Sequence, residues 1–111
     1  MNSYEHTFIT KQDLSESQTK KLVSKYEDTI ETNSGKVLKT EQWGLRNLSH
    51  RIKNNKKGFY FHIKFEGLGK TIEKLEKAEN IDGTLIRYLT IRVKKHDLEK
   101  NYFEKKDFSI N

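Results

Sequence analysis

Phe59-Tyr60-Phe61-His62-Ile63-Lys64-Phe65 is the stretch whose reading decides the fold: large apolar side chains at every odd position alternate with Tyr60, His62 and Lys64. A period of two is that of a β-strand with one face buried. The apolar set goes inward, because burying Phe59, Phe61, Ile63 and Phe65 contributes about 1.5–3 kcal/mol each, whereas turning Lys64 inward without a partner is costly. Just upstream, Lys53-Asn54-Asn55-Lys56-Lys57-Gly58 has the composition of a hairpin loop. Before that loop, Lys36 to Gln42 starts a strand that Trp43-Gly44-Leu45-Arg46 continues, with Gly44 where a bulge or a close backbone approach fits. Downstream, Gly67-Leu68-Gly69 breaks the strand, and Ile72, Leu75 and Ala78, spaced by three, mark a short helix ending at residues 80–83. A last strand places Leu85, Leu89, Ile91 and Val93 in alternation with Ile86, Tyr88, Thr90 and Arg92, although Arg87 interrupts the apolar parity.

At the other end, residues 3–10 are rich in aromatic and β-branched types and read as a first strand. Ser15-Glu16-Ser17-Gln18 has capping-box spacing ahead of a helix with Leu22, Val23, Tyr26 and Ile30 on one face, and Asn33-Ser34-Gly35 ends it. The order β-α-β-β-α-β predicts an α+β, ferredoxin-like arrangement: a four-stranded antiparallel sheet with both helices on one face and the other face open. Phe8, Phe61, Ile63, Leu75 and Leu89 are expected in the core. The 111 residues suit one domain over 1–95, followed by a polar C-terminal tail over 96–111 that is mobile or ordered by a partner.

Composition removes whole classes of function. There is no cysteine, hence no disulfide, thiolate metal site or cysteine nucleophile. His6, His50, His62 and His96 include no pair at helical spacing and no dense Asp cluster accompanies them, so neither a metal nor a cofactor is expected. No apolar run approaches the roughly 18 residues of a membrane span, and the start lacks a signal or transit pattern, which predicts a soluble, intracellular chain. No nucleophile elbow, Walker loop or dinucleotide fingerprint occurs. Small phosphatases of the same element order need a glycine-bearing phosphate loop after the first strand, where this chain has Lys11-Gln12-Asp13-Leu14. An enzyme with a small-molecule substrate is not expected.

Lysine and arginine number 22 against 16 acids, and the excess is concentrated. Residues 42–65 hold Arg46, Arg51, Lys53, Lys56, Lys57 and Lys64 without an acid, and residues 87–95 hold Arg87, Arg92, Lys94 and Lys95 likewise. Such clusters are either solvated basic strands or the footprint of a polyanion. Lys57-Gly58-Phe59-Tyr60-Phe61 is similar to the third-strand motif of RNA-recognition modules, which stack bases on exposed aromatics. Strand parity argues against that alternative, since it would turn Tyr60, His62 and Lys64 toward the helices.

Tyr4-Glu5, Glu41-Gln42-Trp43-Gly44-Leu45-Arg46-Asn47-Leu48, Lys57-Gly58-Phe59-Tyr60 and Ile86-Arg87-Tyr88-Leu89 together resemble the family of the sixth protein of the bacterial small ribosomal subunit, from about Ser3 to about Lys95. The resemblance implies a ferredoxin-like fold, binding to the central domain of small-subunit ribosomal RNA, pairing with the eighteenth small-subunit protein, and a cytoplasmic or organellar ribosome as location. The chain departs from the family at Ser49-His50, where Ala-Tyr is usual, at Asn2-Ser3, where a basic residue often precedes Tyr4, and at Gln12, near the place of a usual proline.

Arg46 heads the candidate RNA contacts, because its planar fork can hold a phosphate through two bonds; its alternative is an ion pair with Glu41. Arg87, Arg92, Arg51 and the tip lysines Lys53, Lys56 and Lys57 complete that set, the lysines being either phosphate contacts or simply solvated. Trp43 is a core anchor or an interface hot spot, and Tyr88 joins it as a candidate protein contact. Tyr4 and Tyr88 can cover the open face, with simple packing expected of at least one of them.

Overall fold

A computed structural model describes residues 1–52 and 55–94. The elements follow the expected order: β1 (Asn2–Lys11), α1 (Glu16–Thr32), β2 (Lys36–Ile52), β3 (Asn55–Gly67), α2 (Gly69–Asn80) and β4 (Leu85–Val93). The strands lie in the order β2-β3-β1-β4, every pairing antiparallel. That leaves β2 and β4 as edges and puts β3 and β1 at the centre, which is where the most apolar strand pattern belongs.

Local chemistry sets the element ends. Ser15 caps α1 by accepting from the Gln18 backbone N–H at 3.1 Å, while the Gln18 side-chain oxygen accepts from the Ser15 N–H at 2.8 Å. The capping box therefore satisfies two donors that the first turn cannot. At the start of α2, Thr71 Oγ1 accepts from the Leu68 N–H at 3.0 Å and donates to the Asn33 carbonyl at 2.6 Å, tying the end of α1 to the beginning of α2.

Alternation along β3 sorts the two faces as expected. Phe61, Ile63 and Phe65 point to the helices and join Phe8, Leu22, Val23, Tyr26, Ile30, Leu75 and Leu85, with Phe59 packed at the margin. Phe8 stacks on Phe61 at 5.1 Å and meets the Tyr26 ring edge-on at 5.3 Å.

Two expectations are corrected. Leu89 is not core: it lies opposite Thr7, on the face away from the helices, and is 37% exposed. The cause is a bulge in β4, where Ile9 faces Arg87 and Thr10 faces Leu85, so Ile86 is an extra residue that resets the alternation. The same bulge explains the interruption at Arg87. Tyr4 and Tyr88 take the packed alternative on the helix side, Tyr4 stacked on Phe65 at 5.5 Å and Tyr88 against the main core. The hairpin loop is shorter than its composition suggested, because β3 already begins at Asn55, paired with Ile52. Lys53 and the tail over 96–111 lie outside the described residues.

The second face is less open than expected. Tyr60, His62 and Lys64 are only 2–4% exposed although no helix covers them. Trp43 lies over this face, its ring 5.1 Å from that of His62 and 6.2 Å from that of Tyr60. Leu48 and Ile52, from the long end of β2, pack against a second small cluster of Ile9, Trp43, Tyr60 and Ile86.

Candidate nucleic-acid interface

The basic segment becomes a protruding two-stranded arm. β2 and β3 pair from Lys36 opposite Glu66 out to Ile52 opposite Asn55, with irregularities that include one at Trp43, next to Gly44. Gly44 has φ +80°, a left-handed conformation that costs a glycine little, so the bulge anticipated there is present. Gly58 has a different role. A Cβ on it would sit 2.4 Å from Ile9 Cγ2 and 2.7 Å from the Thr10 carbonyl oxygen. Only glycine lets β3 approach β1 this closely where the arm begins.

Arg46 sits opposite Gly58 at the root of the arm. Its Nε donates to the Trp43 carbonyl at 3.0 Å. Glu41, the alternative partner, instead accepts from Trp43 Nε1 at 2.9 Å and lies 3.7 Å from Lys64 Nζ. Arg51, Lys56 and Lys57 are exposed along the arm. Arg87 is exposed opposite Ile9, on the same face as Arg46 and close enough to Tyr60 to pull against the burial that raises the Tyr60 pKa. Arg92 is turned to the other side, opposite Tyr4, where its Nη2 donates to Asn2 Oδ1 at 2.9 Å. The fold thus brings Arg46 and Arg87 to one face with the arm between solvent and sheet, and sets Arg92 apart.

Beneath these cations the face is neutralised from within. Glu41 lies beside Lys64, and Glu5 Oε1 lies 3.3 Å from His62 Nε2. Thr7 Oγ1 is 2.7 Å from His62 Nδ1. His62 is therefore a structural histidine, hydrogen-bonded to Thr7 through Nδ1 and set beside Glu5 through Nε2. Sequence reasoning missed this network because Glu5 and Glu41 lie far from Lys64 and His62 along the chain. Their placement on the same parity of adjacent strands was the available signal. Trp43, 8% exposed, acts as an anchor in this network. It lies on the opposite face of the sheet from Tyr88, so the two candidate partner contacts are not brought together. Among the described residues there is no group of three or more metal-ligating side chains, and no helix long and apolar enough to cross a membrane.

The comparisons with known proteins bear on the same span. The family described as Ribosomal protein S6 matches residues 3–92. This chain belongs to the ribosomal protein S6 family. It is similar to small ribosomal subunit protein bS6 of Pelagibacter ubique, with 53% identity over 96% of this chain and 88% of that protein. It is also similar to the bS6 protein of Bartonella tribocorum, with 41% identity over 91% of this chain and 75% of that one. Among solved structures it resembles 30S ribosomal protein S6 from Thermotoga maritima, with a TM-score of 0.79, 30% identity, and coverage of 83% of this chain and 87% of that one. Membership in the S6 family makes the protein a structural, non-enzymatic component of the small ribosomal subunit, ribosome-bound in the cytoplasm.

Proposed function

We propose that the chain binds the central domain of small-subunit ribosomal RNA together with the eighteenth small-subunit protein, and that it does so by neutralising phosphates rather than by reading bases. The observation that carries this reading is the arm: an acid-free segment whose Arg46 is held by the Trp43 carbonyl, on the same face as Arg87. A planar guanidinium carries several donors in one fork and can hold a phosphate through two bonds. Arg51, Lys53, Lys56 and Lys57 add charge that need not be precisely placed. Arg92, on the other side, serves an RNA that wraps the β4 edge. Tyr88, half-buried at that edge, suits a protein contact, while Trp43 would meet a partner only through its rim. A base-stacking module is disfavoured, because Tyr60 and His62 offer almost no exposed ring.

Fluorescence anisotropy of a labelled central-domain RNA fragment, with and without the eighteenth protein, tests the reading. Tight, partner-dependent binding is expected, weakened by Arg46→Ala. About five neutralised phosphates give a log–log salt slope of roughly −4. Equal affinity for unstructured single strands, or no binding by the folded protein in either condition, overturns it.

A further inference from the structure

On the helix side, one polar chain interrupts the apolar core. His6 of β1 and Glu79 of α2 are both fully buried, with His6 Nε2 2.5 Å from Glu79 Oε2. The other ring nitrogen, Nδ1, lies 2.6 Å from Thr90 Oγ1 of β4. Both imidazole nitrogens are thus engaged, each by a different element. The remaining carboxyl oxygen, Glu79 Oε1, is buried without a hydrogen-bond partner among the described residues.

We propose that Thr90, His6 and Glu79 form a proton-linked latch, in which one proton shared between His6 Nε2 and Glu79 Oε2 holds the C-terminal turn of α2 onto the sheet. The short contact requires a proton between the two heavy atoms, whether it resides on the ring or the carboxyl. While that proton is present, Nε2 and Oε2 are hydrogen-bonded to each other and, with a proton also on Nδ1 toward Thr90, the pair is neutral overall. Once it leaves, a carboxylate faces an imidazole in a site without water access, and a buried unpaired charge is strongly unfavourable. The surroundings add to the cost. Glu76 of α2 and Asp82 of the following turn both place negative charge toward Glu79. Tyr88 of β4 and Tyr26 of α1 also face it, the latter donating its hydroxyl proton to Asp82 at 2.7 Å. β3 presents only Ile63 opposite His6. Lys25 of α1 lies 3.9 Å from Asp82.

Burial raises the Glu79 pKa above the usual carboxylate value, against the opposing hydrogen bond and charge of His6. A raised carboxyl contributes stability that is complete below its unfolded pKa and disappears as pH rises through the folded one. The latch therefore loosens on the alkaline side. The turn it releases, residues 80–84, leads directly into β4 and Arg87, so the device bears on the position of one candidate RNA contact.

Urea unfolding of the full chain from about pH 5 to about pH 9, for the wild type and Glu79→Gln, tests it. The amide variant has no proton to lose. The wild-type unfolding constant is expected to rise relative to that of Glu79→Gln by up to tenfold per pH unit across the window where the pair deprotonates. Amide exchange in the wild type, corrected for intrinsic rates, supplies a readout that does not depend on the variant folding: Leu75–Asn80 lose protection with rising pH before α1 does. Parallel pH curves for the two proteins, or protection in α2 that tracks α1 at every pH, overturn the proposal.

Discussion

The two faces of one sheet solve the problem of burial by different chemistry. Toward the helices, Phe8, Phe61, Ile63 and Phe65 bury rings and branched chains against Tyr26, Ile30 and Leu75. Toward the other side, the intervening residues of the same strands bury Lys64, His62 and Glu41, matched in charge and roofed by Trp43. Apolar packing is non-directional and tolerates modest adjustment. A buried ion pair is held by geometry, and losing one member leaves the other exposed to the full desolvation cost. The difference shows that low exposure on a sheet face says nothing by itself about which force holds it.

Substitutions separate the two cases. Phe8→Ala, in the middle of the helix side, is expected to lower stability most, by about 3–5 kcal/mol in urea unfolding, because the cavity it leaves is walled by rings that cannot collapse into it. Lys64→Met follows at about 3 kcal/mol, since Glu41 stays buried without its cation. The double variant Lys64→Met with Glu41→Gln should recover a measurable part of that loss, which a purely apolar face would not allow. If the single and double variants are equally unstable, the pair is not what holds this face. Leu89→Thr, at the exposed margin of the same face, is expected to change stability by no more than about 0.5 kcal/mol. A larger loss would mean that Leu89 is covered in solution.

Much of this arrangement was legible in the sequence. The odd positions from Phe59 to Phe65 settled the orientation of β3, and the Ser15–Gln18 spacing placed the start of α1. What was not legible was the pairing of residues distant in sequence. Nothing local says that Glu41 will lie against Lys64, or that Glu79 will reach His6. In hindsight, Glu79 continues the Ile72–Leu75 spacing onto the buried side of α2, a carboxylate at an apolar position that signals a buried partner. The arm root was partly readable, since Arg46 stood in the family-specific block, but its restraint by the Trp43 carbonyl required the bulge geometry. Leu89 was misplaced because a period-two reading assumes an unbroken register, and β4 breaks its register at Ile86.

That extra residue in β4 works like a shift in reading frame. Upstream of it Leu85 belongs to the main core; downstream, the even-numbered Tyr88, Thr90 and Arg92 face the helices, and Thr90 thereby comes to lie beside His6. Deleting Ile86 itself would close the bulge and leave Leu85, Tyr88 and Thr90 facing the helices, whereas deleting one residue beyond it, such as Leu89, would turn Ile91 inward and withdraw Thr90 from His6. An insertion of two residues would keep the orientation while sliding the strand. Beyond the bulge, the consequences of changes in β4 thus depend first on whether they are odd or even in length, and only then on which side chains they carry.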